Sequence, residues 1–161
     1  NAYDNSIRYT DDFLARLIEM LQEQNVDAAM LYTSDHGEDI FDDNRRLFLH
    51  ASPVPSYYQI HVPFLVWMSD GYRRHYPVLM RNAEANKQKN ISSSASFFHT
   101  MLELGGVTTP YRNDSLSVVN GLFTEKPRVY LNDHNEARSL NEIGMDEEDF
   151  EMLQQKGILY R

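Results

Sequence analysis

Apolar residues recur along this chain with two spacings, one typical of helices and one typical of buried strands. The first segment places apolar side chains on one helical face, which predicts an amphipathic helix from Asn5 to about Gln24: Ile7, Leu14, Leu17, Ile18 and Leu21. A near-continuous apolar run from Val26 to Thr33 follows, as in a parallel strand that is buried on both faces. His61 to Met68 predicts a second strand, in which Pro63 lies near the start, where proline is tolerated.

The same alternation continues to the C-terminus. Further predicted elements are a helix from Pro77 to about Lys87, a helix capped by Ser92–Ser94 and ended by Gly105-Gly106, a short strand at Arg128–Leu131 and a helix from Asp146 to Lys156. Polar or turn-rich stretches separate them at Asp39–Arg46 and Thr108–Ser117. Helices that alternate with strands predict an α/β fold, a sheet flanked by helices.

Composition narrows the classes of protein that the chain can represent. Its 161 residues suit one domain, and its net charge of −9 argues against a nucleic-acid partner, which requires a basic surface. The chain has no cysteine, so disulfides and cysteine-ligated zinc are excluded. No apolar run approaches the roughly 18–20 residues that cross a bilayer.

The most informative motif is Ser34-Asp35-His36-Gly37-Glu38, directly after the first predicted strand. In open α/β sheets, ligands bind beyond the carboxyl ends of strands. Adjacent carboxylate and imidazole groups there suit a metal ion such as Zn²⁺, and Gly37 permits a sharp turn. A plain polar turn remains the alternative.

Two further motifs follow in order, and together they point to a family. Leu49-His50-Ala51-Ser52-Pro53 comes after an acidic loop, and His61-Val62-Pro63 opens the second strand. This series resembles the phosphoethanolamine transferases of bacterial envelopes, which belong to the alkaline phosphatase and sulfatase superfamily. The resemblance begins near Tyr3 and continues at least to the predicted helix around Phe98.

The resemblance implies a fold and an origin for the chain. Residues 1–161 would form the C-terminal portion of a sulfatase-like periplasmic catalytic domain, with part of the alkaline-phosphatase-like sheet. Membrane spans and a nucleophilic Thr would lie upstream, in a parent protein of the inner membrane. The 161-residue piece alone is then expected to be soluble, catalytically inactive and at best a weak binder of Zn²⁺. An unpaired edge of its incomplete sheet could mediate self-association.

The resemblance also implies roles for individual residues. Asp35 and His36 would be metal ligands, and Glu38 would orient a neighbouring group without binding the metal. His50 would be a catalytic residue that faces the substrate phosphate or a second metal, stabilises charge on the transferred group or protonates the leaving oxygen. A surface-loop histidine is the alternative interpretation of His50.

The other histidines are assigned structural roles. His61 is expected to hydrogen-bond a neighbouring loop, His75 to be exposed, and His99 to be a satisfied core histidine. The segment Asp133-His134-Asn135-Glu136 could form a second metal site, although a turn is the preferred interpretation.

Function stays open between classes at this point. The first hypothesis is a zinc-dependent transferase that moves phosphoethanolamine from a phospholipid donor to lipid A or another envelope glycolipid through a phospho-Thr intermediate. The second is a sulfatase or phosphodiesterase that hydrolyses esters on the same scaffold. The third is a non-catalytic binding module with an acidic surface.

Overall fold

A computed structural model describes residues 2–50, 54–131, 134 and 136–158. Helices and short strands alternate along it in this order: α1 (Ala2–Glu23), β1 (Ala29–Thr33), β2 (Asp39–Ile40), β3 (Phe48–Leu49), α2 (Tyr57–Ile60), β4 (Phe64–Met68), α3 (Asp70–His75), α4 (Pro77–Asn86), α5 (Ser93–Leu104), a 3₁₀ turn (Asp114–Leu116), β5 (Val129–Leu131), β6 (Ala137–Ser139) and α6 (Glu147–Gln155). The mixed α/β class predicted from the sequence is confirmed.

The first two long strands pair with each other in antiparallel fashion. The register runs from Ala29 opposite Met68 to Thr33 opposite Phe64. The prediction of a parallel β1 is therefore wrong, because a continuous apolar run looks alike in either strand direction. The connection decides the direction: between β1 and β4 the chain forms a small hairpin and one helical turn instead of a crossover helix. Within the described residues, β1 hydrogen-bonds to no other strand, so its second edge is open, as expected.

One apolar core lies between this strand pair and α3 to α5. Its buried members come from β4, α3, α5 and the segment after the 3₁₀ turn: Met68, Tyr72, Leu104, Val118, Val119 and Phe123. The Tyr72 hydroxyl donates to the Leu104 carbonyl oxygen, and the Thr100 hydroxyl accepts from the Val118 amide at 3.1 Å. The predicted end of α5 is confirmed, since Gly105 is its C-cap and Gly106 has a φ of +65°.

A second core lies under α6. Its buried members are Tyr57 of α2 with Leu140, Met145 and Leu153. The antiparallel pair β5–β6, with Tyr130 opposite Arg138, borders it. The predicted helix at Asp146–Lys156 is confirmed, with those two residues as its N-cap and C-cap.

Several short elements were not predicted. The strands β2 and β3 lie at or just beyond the two ends of the stretch assigned as a polar loop, and they pair Asp39 with Leu49 and Ile40 with Phe48. The short helices α2 and α3 were also missed. Each begins at a serine whose hydroxyl accepts from the amide three residues on, Ser56 from Gln59 and Ser69 from Tyr72.

Candidate metal centre

The motif residues follow the end of β1 and lie near the start of β4, which is paired with that end. Past the end of β1, the Gly37 amide donates to the Gln59 carbonyl oxygen at 2.7 Å, which docks the turn against α2. A Cβ on Gly37 would overlap the Tyr58 carbonyl oxygen, so only glycine fits at this position. Asp35 and His36 therefore lie beyond the carboxyl end of β1, as predicted.

The His36 ring is held in one orientation by its own turn. Its Nδ1 lies 2.9 Å from the Gly37 carbonyl oxygen. A carbonyl oxygen can only accept, so Nδ1 donates to it, and in the neutral ring Nε2 has the lone pair. This is the arrangement that metal-binding histidines use, with the second nitrogen fixed by a backbone oxygen.

The β2–β3 hairpin brings two more candidate ligands to His36. Glu38 precedes β2 and His50 follows β3, and His50 Nδ1 lies 2.8 Å from Glu38 Oε1. The His36 and His50 ring centroids are 3.9 Å apart. Potential ligand atoms of His36, Glu38 and His50 all lie within 4.8 Å of one another, so these residues form one cluster, called the metal cluster below. The predicted proximity of His50 to the motif is confirmed.

The chemistry of this cluster fits a metal ion. Glu38 Oε2 is buried yet has no hydrogen-bond partner among the described residues. A buried carboxylate oxygen without a partner is costly unless a cation completes its coordination. Imidazole and carboxylate groups are the donors of many catalytic zinc sites, which leave a further position open. From the sequence, Glu38 is expected only to orient a neighbouring group, and the structure adds it as a candidate ligand. The pattern in the sequence that goes with this is the spacing of two between His36 and Glu38 across a glycine.

Asp35 lies at the edge of this cluster. Its side chain is 87% exposed, and its Oδ2 is 3.8 Å from His36 Nε2. The His36 amide donates to Asp35 Oδ1 at 3.1 Å, and this hydrogen bond holds the pKa of the Asp35 carboxyl below its usual value. Asp35 is therefore an ionised carboxylate near the nitrogen that His36 offers, but it is outside the three-residue cluster.

The hairpin is fastened to α6 by a buried ion pair. The Arg45 guanidinium donates to both carboxylate oxygens of Asp149, at 2.7 and 2.9 Å, and also binds Asp43 and Asp146. Asp149 is 2% exposed, and it also accepts from the Tyr57 amide at 2.8 Å. These carboxylates, Asp149 first, raise the pKa of Arg45, and Arg45 in turn lowers the pKa of Asp43. The position of the hairpin thus depends on α6.

A second buried carboxylate fastens the base of the hairpin to α2. Asp39 is 3% exposed and accepts from the Ser56 hydroxyl at 2.6 Å and from the Gln59 side-chain amide at 2.5 Å. Because Asp39 follows Glu38 directly, this contact determines where the Glu38 side chain starts. Together with the Arg45–Asp149 pair, it determines how the two halves of the cluster meet.

The other histidines have local partners. His61 Nδ1 lies 2.9 Å from the Tyr57 hydroxyl oxygen, so its partner is in helix α2 and not in a neighbouring loop as expected. His75 is exposed and pairs with Asp27. His99 accepts from the Asn113 amide, so it is satisfied as predicted, but it is only partly buried. Asp133 and Asn135 of the suggested second metal site, and residues 51–53 of the His50 motif, lie outside the described residues.

Comparison with known proteins defines the class of this chain. A family model described as Sulfatase matches residues 1–107. The chain belongs to the sulfatase family.

Curated relatives within this family are named phosphoethanolamine transferases. Phosphoethanolamine transferase EptA of Escherichia coli (strain K12) is 32% identical over 115 residues, which cover 69% of this chain and 21% of that protein. Kdo(2)-lipid A phosphoethanolamine 7''-transferase of the same strain is 31% identical over 115 residues, covering 68% of this chain and 20% of that protein. The chain thus spans about a fifth of the length of these relatives.

Solved structures of EptC periplasmic domains share the fold of this chain. The C-terminal periplasmic domain of EcEptC from Escherichia coli, in complex with Zn, superimposes with a TM-score of 0.67 at 25% identity, covering 83% of this chain and 37% of that one. The corresponding EptC domain from Campylobacter jejuni gives a TM-score of 0.61 at 27% identity, covering 78% and 39%. In the described part of this chain, no helix combines the length and apolarity needed to cross a membrane.

Proposed function

We propose that this chain is the metal-binding part of a zinc-dependent phosphoethanolamine transferase. The observation that carries the proposal is the convergence of His36, Glu38 and His50, whose ligand atoms lie within 4.8 Å of one another. The names of the relatives and the zinc-containing EptC structure support the choice of reaction and metal.

In this proposal, His36 binds Zn²⁺ through Nε2, and Asp35 turns its exposed carboxylate toward the same ion. Glu38 contributes its unpartnered Oε2, which the sequence alone did not suggest. Bound Zn²⁺ would polarise the nucleophile and the phosphate oxygens and so stabilise the negative charge of the transition state. The positions left open in the coordination sphere would be completed by groups outside these 161 residues.

The proposed reaction proceeds in two transfers. A Thr oxygen outside this chain attacks the phosphorus of a phospholipid donor, and the bond from phosphorus to the lipid oxygen breaks, so that a diacylglycerol leaves with one proton. A hydroxyl or phosphate oxygen of lipid A, or of another envelope glycolipid, then attacks the phospho-Thr and restores the Thr hydroxyl. The site would be in the periplasm, in a parent protein anchored in the inner membrane.

His50 is the proposed acid in this sequence. Its Nδ1 is hydrogen-bonded to Glu38, which orients the ring. An imidazolium held beside the metal can donate a proton to the leaving lipid oxygen and balance charge on the transferred phosphoryl group.

The open edge of β1 supports a separate proposal, that isolated copies of the chain self-associate. Sedimentation equilibrium would measure this association.

The test is a transfer assay on a longer protein that carries this chain together with its upstream region. Labelled phosphatidylethanolamine and lipid A are supplied, and the labelled glycolipid product is counted. His36→Ala and His50→Ala are expected to abolish transfer, while His75→Ala, a change at an exposed histidine away from the cluster, leaves it unchanged. The 161-residue chain alone should give no product.

The same assay separates the proposal from the hydrolase alternative. Transfer of label to water instead of glycolipid, or turnover of an aryl sulfate at a comparable rate, would show a hydrolase and contradict the transferase proposal. A longer protein whose His36→Ala variant retains full transfer would contradict the assignment of the metal centre.

A further inference from the structure

A cavity of about 370 Å³ opens beside the metal cluster, and the reaction described above uses only one part of its wall. Asp35 and His36 form one part of its wall, and most of the remaining wall is apolar, from Ile60, Val62, Val129, Leu131, Leu140 and Leu153. This volume is within the range of small-molecule sites, which are mostly apolar with a few convergent polar groups. The polar groups of the wall therefore indicate what the cavity would bind.

The strongest of these polar groups is an arginine without a carboxylate partner. Among the described residues, Arg128 donates to the Ile91 carbonyl oxygen. Arg128 is partly buried, yet among the described residues no carboxylate lies within ion-pair distance of it, whereas Arg45 and Arg112, which are also partly buried, each have one. Burial lowers the pKa of Arg128, which reflects the cost of desolvating an uncompensated cation. An anion in the cavity would remove that cost.

Other groups of the wall add to the positive character. His61 lines the cavity, and its pKa is lowered by burial first and then by the positive charges of Lys156 and Arg128. Ser92, Ser93 and Ser94 contribute hydroxyls at the N-terminus of the 12-residue helix α5. The wall holds one described carboxylate, Asp35, and that side chain is directed largely to solvent.

We propose that this cavity binds a phosphate ester, with the phosphate against Arg128 and the hydroxyls of Ser92–Ser94 and the carbon chain against the apolar wall. A guanidinium fork matches two phosphate oxygens, and hydroxyls and helix N-terminal amides serve the remaining ones. The site goes beyond the proposed transfer reaction, because none of these residues takes part in it. Its ligand could come from a lipid headgroup or from a soluble ester, which share this chemistry.

The test is calorimetric titration of the chain with hexyl phosphate in the presence of EDTA. We expect binding that survives EDTA and the variant His36→Ala, because the metal cluster is not required. Arg128→Gln should weaken it about tenfold or more, the effect of losing charged hydrogen bonds, while Arg138→Gln, a matched arginine on neighbouring β6, should not. Binding that EDTA abolishes, or that Arg138→Gln weakens equally, would overturn the proposal, as would equal affinity for hexanol.

A second measurement covers the case in which Arg128→Gln does not fold. In the unmodified chain, hexyl phosphate should raise the pKa of His61, because an anion offsets the positive charges of Arg128 and Lys156. An NMR titration measures this pKa. The neighbouring Tyr57 hydroxyl stays neutral over the same pH range. No change in that pKa would overturn the proposal. A vesicle assay distinguishes the two sources of the ligand. Co-sedimentation of the chain with phosphatidic acid vesicles, but not with phosphatidylcholine vesicles, would identify a lipid as the ligand. Binding of hexyl phosphate without co-sedimentation would identify a soluble ester.

Discussion

The two regions that supply the metal cluster are held in place by different forces. The β1–β4 pair, which presents His36, rests on an apolar core with Met68, Val119 and Phe123 fully covered. The β2–β3 hairpin, which presents Glu38 and His50, has exposed strand residues at Phe48 and Leu49 and is fastened by buried charges.

Because of this difference, the stability of the chain and the alignment of the metal cluster depend on different contacts. Hydrophobic burial is non-directional and tolerates small shifts, whereas a bidentate arginine–carboxylate pair specifies one geometry. Removing apolar contacts should therefore unfold the chain, while removing the charges of the hairpin should leave it folded with a misaligned cluster. The following predictions begin with the largest effect.

The largest effect is expected from truncation in the apolar core. Phe123→Ala removes a side chain that is 4% exposed and should lower the free energy of unfolding by about 3–5 kcal/mol, measured by urea denaturation. Leu122→Ala is the matched control, because Leu122 is 66% exposed and its loss should cost less than about 0.5 kcal/mol. Similar decreases in the free energy of unfolding in both variants would show that this core does not stabilise the fold.

Compared with Phe123→Ala, Asp149→Asn should destabilise the chain less but disturb the alignment of the metal cluster more. The change leaves the Arg45 guanidinium in the hairpin without its bidentate partner and should cost about 1.5–3 kcal/mol. Because Glu38 and His50 then lose their fixed position, Zn²⁺ affinity should fall further than it does in a core variant of equal stability. The exposed partner Asp146 provides the control, since Asp146→Asn should cost about 1 kcal/mol or less. Unchanged Zn²⁺ affinity in Asp149→Asn would refute the positioning role of α6.

The smallest effect is a pH dependence from His61. Its pKa in the folded chain lies below the ordinary 6.5, chiefly through burial, so the unfolded chain binds more protons as the pH falls. Its contribution to stability is complete above about pH 6.5 and is lost as the pH drops toward the folded-state pKa. The difference between unmodified chain and His61→Gln in unfolding free energy, measured from pH 7.5 to 5, should therefore shrink on acidification. A difference that is constant or grows would contradict this assignment.

The part of the fold that the sequence predicted is the part that rests on apolar periodicity. The strands β1, β4 and β5 and the helices α1, α4, α5 and α6 each carry enough apolar or capping residues to be located. The hairpin could not be located, because each of its strands has two residues and its fastening residues are charged. A charged stretch such as Asp42-Asp43-Asn44-Arg45-Arg46 looks like a solvated loop until α6 is seen beside it.

The candidate site was predictable to the same extent. Asp35 and His36 could be placed because a strand end, a known location for ligands, precedes them. The structure places His50 beside His36, which is compatible with the role that the family resemblance implies, and it shows an unpartnered oxygen on Glu38 that no sequence pattern reveals. The Asp35 carboxylate accepts from the His36 amide and, at 3.5 Å, from the Ser34 hydroxyl, and no sequence pattern specifies the orientation that results.

The central claim is that two separately supported regions build one metal site, and Zn²⁺ titration of the 161-residue chain tests it most directly. The sequence alone suggests weak or absent binding, since only two ligands were assigned. With His36 and Glu38 brought together and His50 holding Glu38 in place, we expect one Zn²⁺ per chain, bound more weakly than in four-ligand structural sites. His36→Ala from the β1 side and His50→Ala from the hairpin side should each reduce the affinity about tenfold or more, and His75→Ala should not. Loss of binding in His36→Ala together with unchanged binding in His50→Ala would contradict the account, as would the absence of any Zn²⁺ site.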